Sequence, residues 1–155
     1  MPSLTEVRDA AIAALKSAVP EVRVDSVSGG AEAAAVLKKT LGTTTILVTA
    51  LGAQNAADPR SLDFDVYGQF AALVVIYGRR DQAAREKDGL AVVERTAQAL
   101  HGHTFGLVDL GPARVLSLGP LEDAELENNG AWVWAVTWGQ PLTLTPPMEK
   151  LDESV

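Results

Sequence analysis

Gly130-Ala131-Trp132-Val133-Trp134-Ala135-Val136-Thr137-Trp138-Gly139 contains all three tryptophans of the chain, and all three have the same parity. Side chains alternate between the two faces of a β-strand, so Trp132, Trp134, Val136 and Trp138 line one face, and Val133, Ala135 and Thr137 the other. Gly130 and Gly139 bracket the run, and the polar stretch Glu125-Leu126-Glu127-Asn128-Asn129 leads into it. The pattern predicts a strand. Each aromatic can bury about 150–250 Å², so this face belongs either at the centre of the core or on a large adhesive surface. The expected division puts Trp134 and Val136 inside, with Trp132 or Trp138 nearer a rim.

Upstream of this strand, an acidic turn at 122–130 separates it from a second strand at 113–118, which suggests a hairpin with 131–142. Before that lies a helix over 81–100 with Leu90, Val93, Ala97 and Leu100 on its inner stripe and Gly102 as a left-handed C-cap. Its first half, 82–88, is polar, and the alternative is a loop there with Asp88 as the cap. Residues 64–78 form a strand ending in the continuous apolar run Phe70 to Tyr77, a sign of burial on both faces, with a possible bulge at Gly68. Residues 43–51 are dense in β-branched side chains and predict its hairpin partner. The segment 52–62 between them is a long polar loop, a type that is often functional.

At the N-terminal end, Ser3-Leu4-Thr5-Glu6 is a capping box that starts a helix over 4–18, ended before Pro20. A short strand at 22–27, a Ser28-Gly29-Gly30 turn and an alanine-rich helix at 31–40 follow. The order α-β-α-β-β-α-β-β, with two hairpins, predicts an α+β fold: a mixed, largely antiparallel sheet of about four to five strands with helices on one face. Residues 1–145 are expected to form one domain, and 146–155 a flexible acidic tail.

Composition narrows the function classes. A net charge of −7 argues against binding nucleic acid or an anionic membrane, both of which call for clustered basic residues. With no cysteine there is no thiol nucleophile or thiolate metal site. The start of the chain lacks a signal-peptide pattern, and the apolar run 70–77 is far short of the ~20 residues a membrane span needs. A cytoplasmic location is expected.

Motifs for chemistry are weak. His101 and His103 are the only histidines and have no third ligand at a recognised spacing; His101 is better placed to interact with the last carbonyls of its helix. The acidic turn Glu122, Asp123, Glu125 and Glu127 lacks the order of a calcium loop. Ser28-Gly29-Gly30 has no P-loop lysine. No catalytic, metal or cofactor site is expected, and no enzyme.

The stretch from Ala50 to Leu144 resembles the tail terminator (tail completion) proteins of bacteriophages, especially those of Mu-like phages and prophages. The matching elements come in order. A strand ends in Leu51-Gly52-Ala53, a polar loop follows, and a long strand 70–77 runs into Gly78-Arg79-Arg80. Next come the helix Gly89-Leu90-Ala91-Val92-Val93-Glu94, closed by Leu100-His101-Gly102, and the late strand through Trp132 and Trp134. The resemblance implies a structural protein that assembles as a ring, usually a hexamer, on the last ring of the tail tube. Such a ring stops tube growth and offers the surface that the head connector joins.

Its implied partners are copies of itself, the tail tube protein and the head-tail connector, with no membrane and no specific nucleic acid, although DNA passes through the ring. Its implied place is the head-proximal end of the virion tail, after assembly in the host cytoplasm. An acidic surface suits a DNA conduit, since it does not hold the passing DNA. On this resemblance the candidate assembly residues are Gln54, Asn55, Asp58 and Arg60 of the polar loop, Arg79 and Arg80, and Trp132 and Trp138. The alternative is a small cytoplasmic α+β ligand-binding or regulatory domain, or an enzyme subunit, resting on the Ser28-Gly29-Gly30 turn and the two histidines.

Overall fold

Ser3 starts the first helix as the spacing predicts: its hydroxyl accepts the Glu6 amide at 3.1 Å, satisfying one of the unpaired N–H groups of the first turn. In the computed structural model, residues 2–27, 44–55, 64–77, 82–122 and 130–144 are described. They form α1 (Leu4–Ala18), β1 (Arg23–Ser26), β2 (Thr45–Asn55), β3 (Phe64–Tyr77), α2 (Gln82–Leu100), β4 (Arg114–Leu121) and β5 (Ala131–Leu144). The predicted turn at 28–30, the helix at 31–40, most of the acidic turn and the tail at 146–155 lie outside the described residues.

The strands make one five-stranded sheet in the order β1-β2-β3-β5-β4. β1 runs parallel to β2, and every other neighbour is antiparallel. Both predicted hairpins are present, and the two long inner strands β3 and β5 are joined from Phe64↔Leu144 to Tyr77↔Ala131. The fold class is the expected α+β.

Register explains where the core sits. Ile46, Val74 and Trp134 lie in one row across three strands, Val48, Ala72 and Val136 in the next, and Phe70 and Trp138 in a third. This face packs under both described helices, through Val7, Ala11 and Leu15 of α1 and Val93 and Leu100 of α2. The opposite face carries a second buried cluster of Val27, Leu47, Val75, Tyr77, Ala131 and Val133. The run 70–77 is therefore covered on both sides, as its unbroken apolar character requires.

One boundary differs from expectation. β2 continues through Asn55, so positions 52–55 are paired strand rather than loop; a register shift between Ala50 and Gly52 lets the ladder resume opposite Gln69 to Val66. Backbone pairing needs no apolar side chains, which is why the polar composition misled. α2 begins at Gln82, as the helix expected over 81–100 requires, and the alternative start at Asp88 is not adopted: its polar first turns are made of good helix formers, and Glu86, Lys87 and Asp88 all face solvent. No described helix is long and apolar enough to cross a membrane.

Gly89 sits in the middle of α2, where alanine is ordinarily better by about 1 kcal/mol. A Cβ there would lie 2.5 Å from Cδ1 and 2.6 Å from Cγ2 of buried Ile76. The clash outweighs the propensity gain. Gly89→Ala should destabilise the protein by about 1–3 kcal/mol, read from urea denaturation; a gain in stability would show that α2 can lift off β3 freely.

The helices are also tied at their ends. The Arg95 guanidinium donates to the Ala18 carbonyl at 3.0 Å and to the Glu21 carboxylate. That hydrogen bond holds the Glu21 pKa below its ordinary 4.5, helped by the Arg95 charge. A depressed carboxylate stabilises the fold fully above 4.5, and the contribution is lost as pH falls through the lowered value. Acidification should therefore cost the wild type more stability than it costs Arg95→Met, by a small margin because both groups are solvent-exposed. Denaturation midpoints at pH 6 and at a pH of about 3 would check this; parallel losses in the two proteins would refute it.

Candidate functional site

The eight predicted assembly residues do not form one patch. Gln54 is exposed near the end of β2, opposite Tyr67, and Asn55 is that strand's last residue. Asp58, Arg60, Arg79 and Arg80 lie outside the described residues. Trp132 is half-buried and open at one side.

Trp138 requires a correction. Its exposure is 0%, its ring stacks on Phe70 with centroids 5.4 Å apart, and its Nε1–H donates to Gln140 Oε1 at 3.0 Å. A side chain so enclosed touches no partner. Trp134, expected inside, is instead half-buried. Parity assigned all three indoles to the right face, but not how far along the strand the cover extends. Buried Leu100, at the end of α2, and Leu110 belong to the same cluster as Trp138. The polar turns around Glu86 lie over Trp132 and Trp134 and leave them partly open.

The segment after α2 is a built structure that sequence reading missed. Gly102, with φ +83°, ends the helix as predicted, and its amide donates to Ala113 O at 2.7 Å. Ala113 N donates back to His103 O, and Gly111 N to Pro141 O. Gln140, fully buried, donates from Nε2 to His103 O at 3.2 Å and to Gly111 O at 3.0 Å. Phe105 and Asp109 sit at φ +53° and +63°, conformations that cost a non-glycine residue on the order of 1 kcal/mol and persist only where the surroundings impose them. At the tip Val108 is 78% exposed. The available signal was Gln140 itself, an amide on the inward parity of an apolar strand.

His101 does not serve the helix carbonyls as expected. Its Nδ1 accepts the Val115 amide at 3.2 Å, so it acts as an acceptor that fastens the start of β4 to the end of α2. His103 lies against the Phe105 ring instead. Among the described residues no group of three or more His, Cys, Asp or Glu side chains is placed to hold a metal ion.

The surface with the clearest binding character is β4, the last strand of the sheet. Leu116, Leu118 and Leu121 are 48%, 46% and 48% exposed. With Val108 they are four of the five large apolar residues exposed among the described residues, and all fall between 108 and 121. Register spreads them over both sides of this edge strand, with Leu118 opposite Val136 of the helix-packed face and Leu121 opposite Val133 of the other; exposed apolar side chains of this kind are candidates for contact with a partner. The register shift at Leu116 and the missing N–H of Pro120 interrupt the outer row of backbone donors. Contact here would be made by side chains, not by adding a strand.

No protein-family model and no curated protein sequence matches the chain. A solved structure does match, a chain from the virion of a native gene transfer agent particle. The two chains share one fold. They superpose with a TM-score of 0.56 over 92% of this chain and 96% of the other, at 14% sequence identity. The coverage makes the likeness one of whole chains and not of a common β-hairpin.

Proposed function

We propose that this protein is a structural subunit of a phage-like virion that caps the tail tube as a ring, ends its polymerisation and presents the surface for joining the head. The observation that carries the reading is the end-to-end fold likeness to a virion chain. The order of sequence elements from Ala50 to Leu144 supports the finer assignment to a tail terminator. In this reading the protein is not an enzyme and needs no cofactor. It assembles with copies of itself, probed first as a hexamer, and with tube and connector proteins at the head-proximal end of the tail.

The exposed leucines of β4 and the Val108 tip supply the apolar contact that a ring of subunits requires. Gln54, Asn55 and the residues that follow them are the polar contacts proposed for tube or connector, and Arg79 and Arg80 those proposed for ion pairs between subunits.

Sedimentation velocity of the protein alone and with purified tail tube protein tests the proposal, with electron microscopy of the mixture. Closed rings seated on tube ends are expected, with tubes of limited length. A protein that stays monomeric and leaves tube growth unchanged would overturn it. Leu116→Glu/Leu118→Glu should keep the fold by circular dichroism and weaken ring association at least tenfold, since burying a leucine contributes about 1.5–3 kcal/mol and ~1.4 kcal/mol is a factor of ten.

A further inference from the structure

Between α2 and the start of β5 lies a small cleft of about 240 Å³, lined among the described residues by Ile76, Glu86, Leu90, Trp132 and Trp134. Its floor is Ile76, buried on β3 and paired with Trp132. The close approach of α2 at Gly89 sets its depth. Leu90 and the two half-buried indoles make apolar walls, and Glu86 is exposed at the rim. A shallower groove continues from Glu86 and Leu90 past Lys87 and Ala91 to Glu94. Among the described residues that line it, two carboxylates stand against one ammonium.

A purely apolar plug would take some water from the Glu86 carboxylate at the rim and offer it no donor in return. A cation avoids that loss. Indole faces attract cations, most strongly when the site is partly desolvated. Guanidinium suits the cleft better than ammonium, being flat, weakly hydrated and able to present a fork of donors to a carboxylate. Trp132 and Trp134 are two residues apart on one strand face, a spacing of about 6.6 Å. Both indoles therefore border the same cleft. The methylene stem of an arginine can then lie on Leu90 and Ile76.

We propose that this cleft receives an arginine side chain from an adjoining subunit of the assembly, held by Trp132, Trp134 and Glu86. The source of the arginine rests on the reading of the protein as part of a multi-subunit virion; its chemistry does not. The net charge of −7 favours encounter with a basic segment over an acidic one.

The test titrates Nα-acetyl-arginine N-methylamide into dilute full-length protein and follows the three indole N–H resonances by NMR. Saturable shifts are expected for Trp132 and Trp134, while Trp138, enclosed and bonded to Gln140, stays put. The norleucine analogue should bind at least about tenfold more weakly, and Glu86→Gln should lower affinity for the arginine amide by about five- to tenfold. No saturable shift, an equal response to norleucine, or an unchanged affinity in Glu86→Gln would each overturn the site. Tighter binding of free arginine or agmatine than of the capped amide would overturn the side-chain assignment in favour of a small-molecule site. Because the titration needs no ring, failure of ring formation with an intact titration refutes the terminator reading alone. Rings without the titration refute only the cleft.

Discussion

Replacing Trp138 with alanine should cost about 3–5 kcal/mol of folding stability and lower the melting temperature by roughly 10 °C or more. Three losses combine. The ring leaves a cavity at a site with 0% exposure, Phe70 loses its stacking partner, and Gln140 Oε1 loses the indole donor. Trp132→Ala removes a half-buried ring at the open end of the same strand face and should cost markedly less. Urea denaturation of the two variants, followed by circular dichroism, gives the comparison directly. Equal losses would mean that the cover over β5 is uniform and that Trp132 has no free edge. Trp138→Phe separates the parts in large measure, since it keeps a six-membered ring at the site while removing the N–H and the rest of the indole. Its cost should be about 1–3 kcal/mol, the penalty for a buried acceptor left without its donor.

This contrast also shows what could be read from the chain alone. Strict alternation over 132–138 and the unbroken apolar run 70–77 placed β5 and β3, and with them the centre of the sheet, because parity and burial on two faces are local properties. The capping residue Ser3 and the left-handed Gly102 fixed helix ends for the same reason. How far α2 extends over the tryptophans depends on where the chain returns after β3, and no local pattern encodes it. Trp138 and Trp134 were therefore exchanged between core and rim. The extension of β2 to Asn55 was hidden because a bulge breaks the period on which strand prediction depends. The Trp132–Trp134–Glu86 cleft joins positions almost fifty residues apart, brought together by the pairing of β3 with β5 and the packing of α2 on the sheet, close at Gly89 and Ile76.

Gln140→Leu should be nearly as costly as loss of the tryptophan ring, about 3 kcal/mol, although the two side chains are close in size. Leucine fills the space but leaves the buried Trp138 indole N–H and the Gly111 carbonyl without a partner, and takes one of its two donors from the His103 carbonyl, which keeps the Ala113 amide. Each unsatisfied buried group costs about 1–3 kcal/mol, moderated where water can enter. No described buried side-chain polar atom in the wild type lacks a partner, so no other side-chain group stands ready to substitute. The consequence should be local as well as global. The Ala113 amide donates to His103 O and the Gly102 amide to Ala113 O, so both should exchange with solvent faster in the variant, by more than the global destabilisation accounts for. The left-handed conformations of Phe105 and Asp109 would lose the frame that imposes them, and the exposed Val108 between them would lose its fixed position. Unchanged Ala113 exchange would refute this and show that the segment is held by its own turns. If the variant also forms rings more weakly at a temperature where it remains folded, the buried amide is what keeps this side of the protomer in shape for its neighbour.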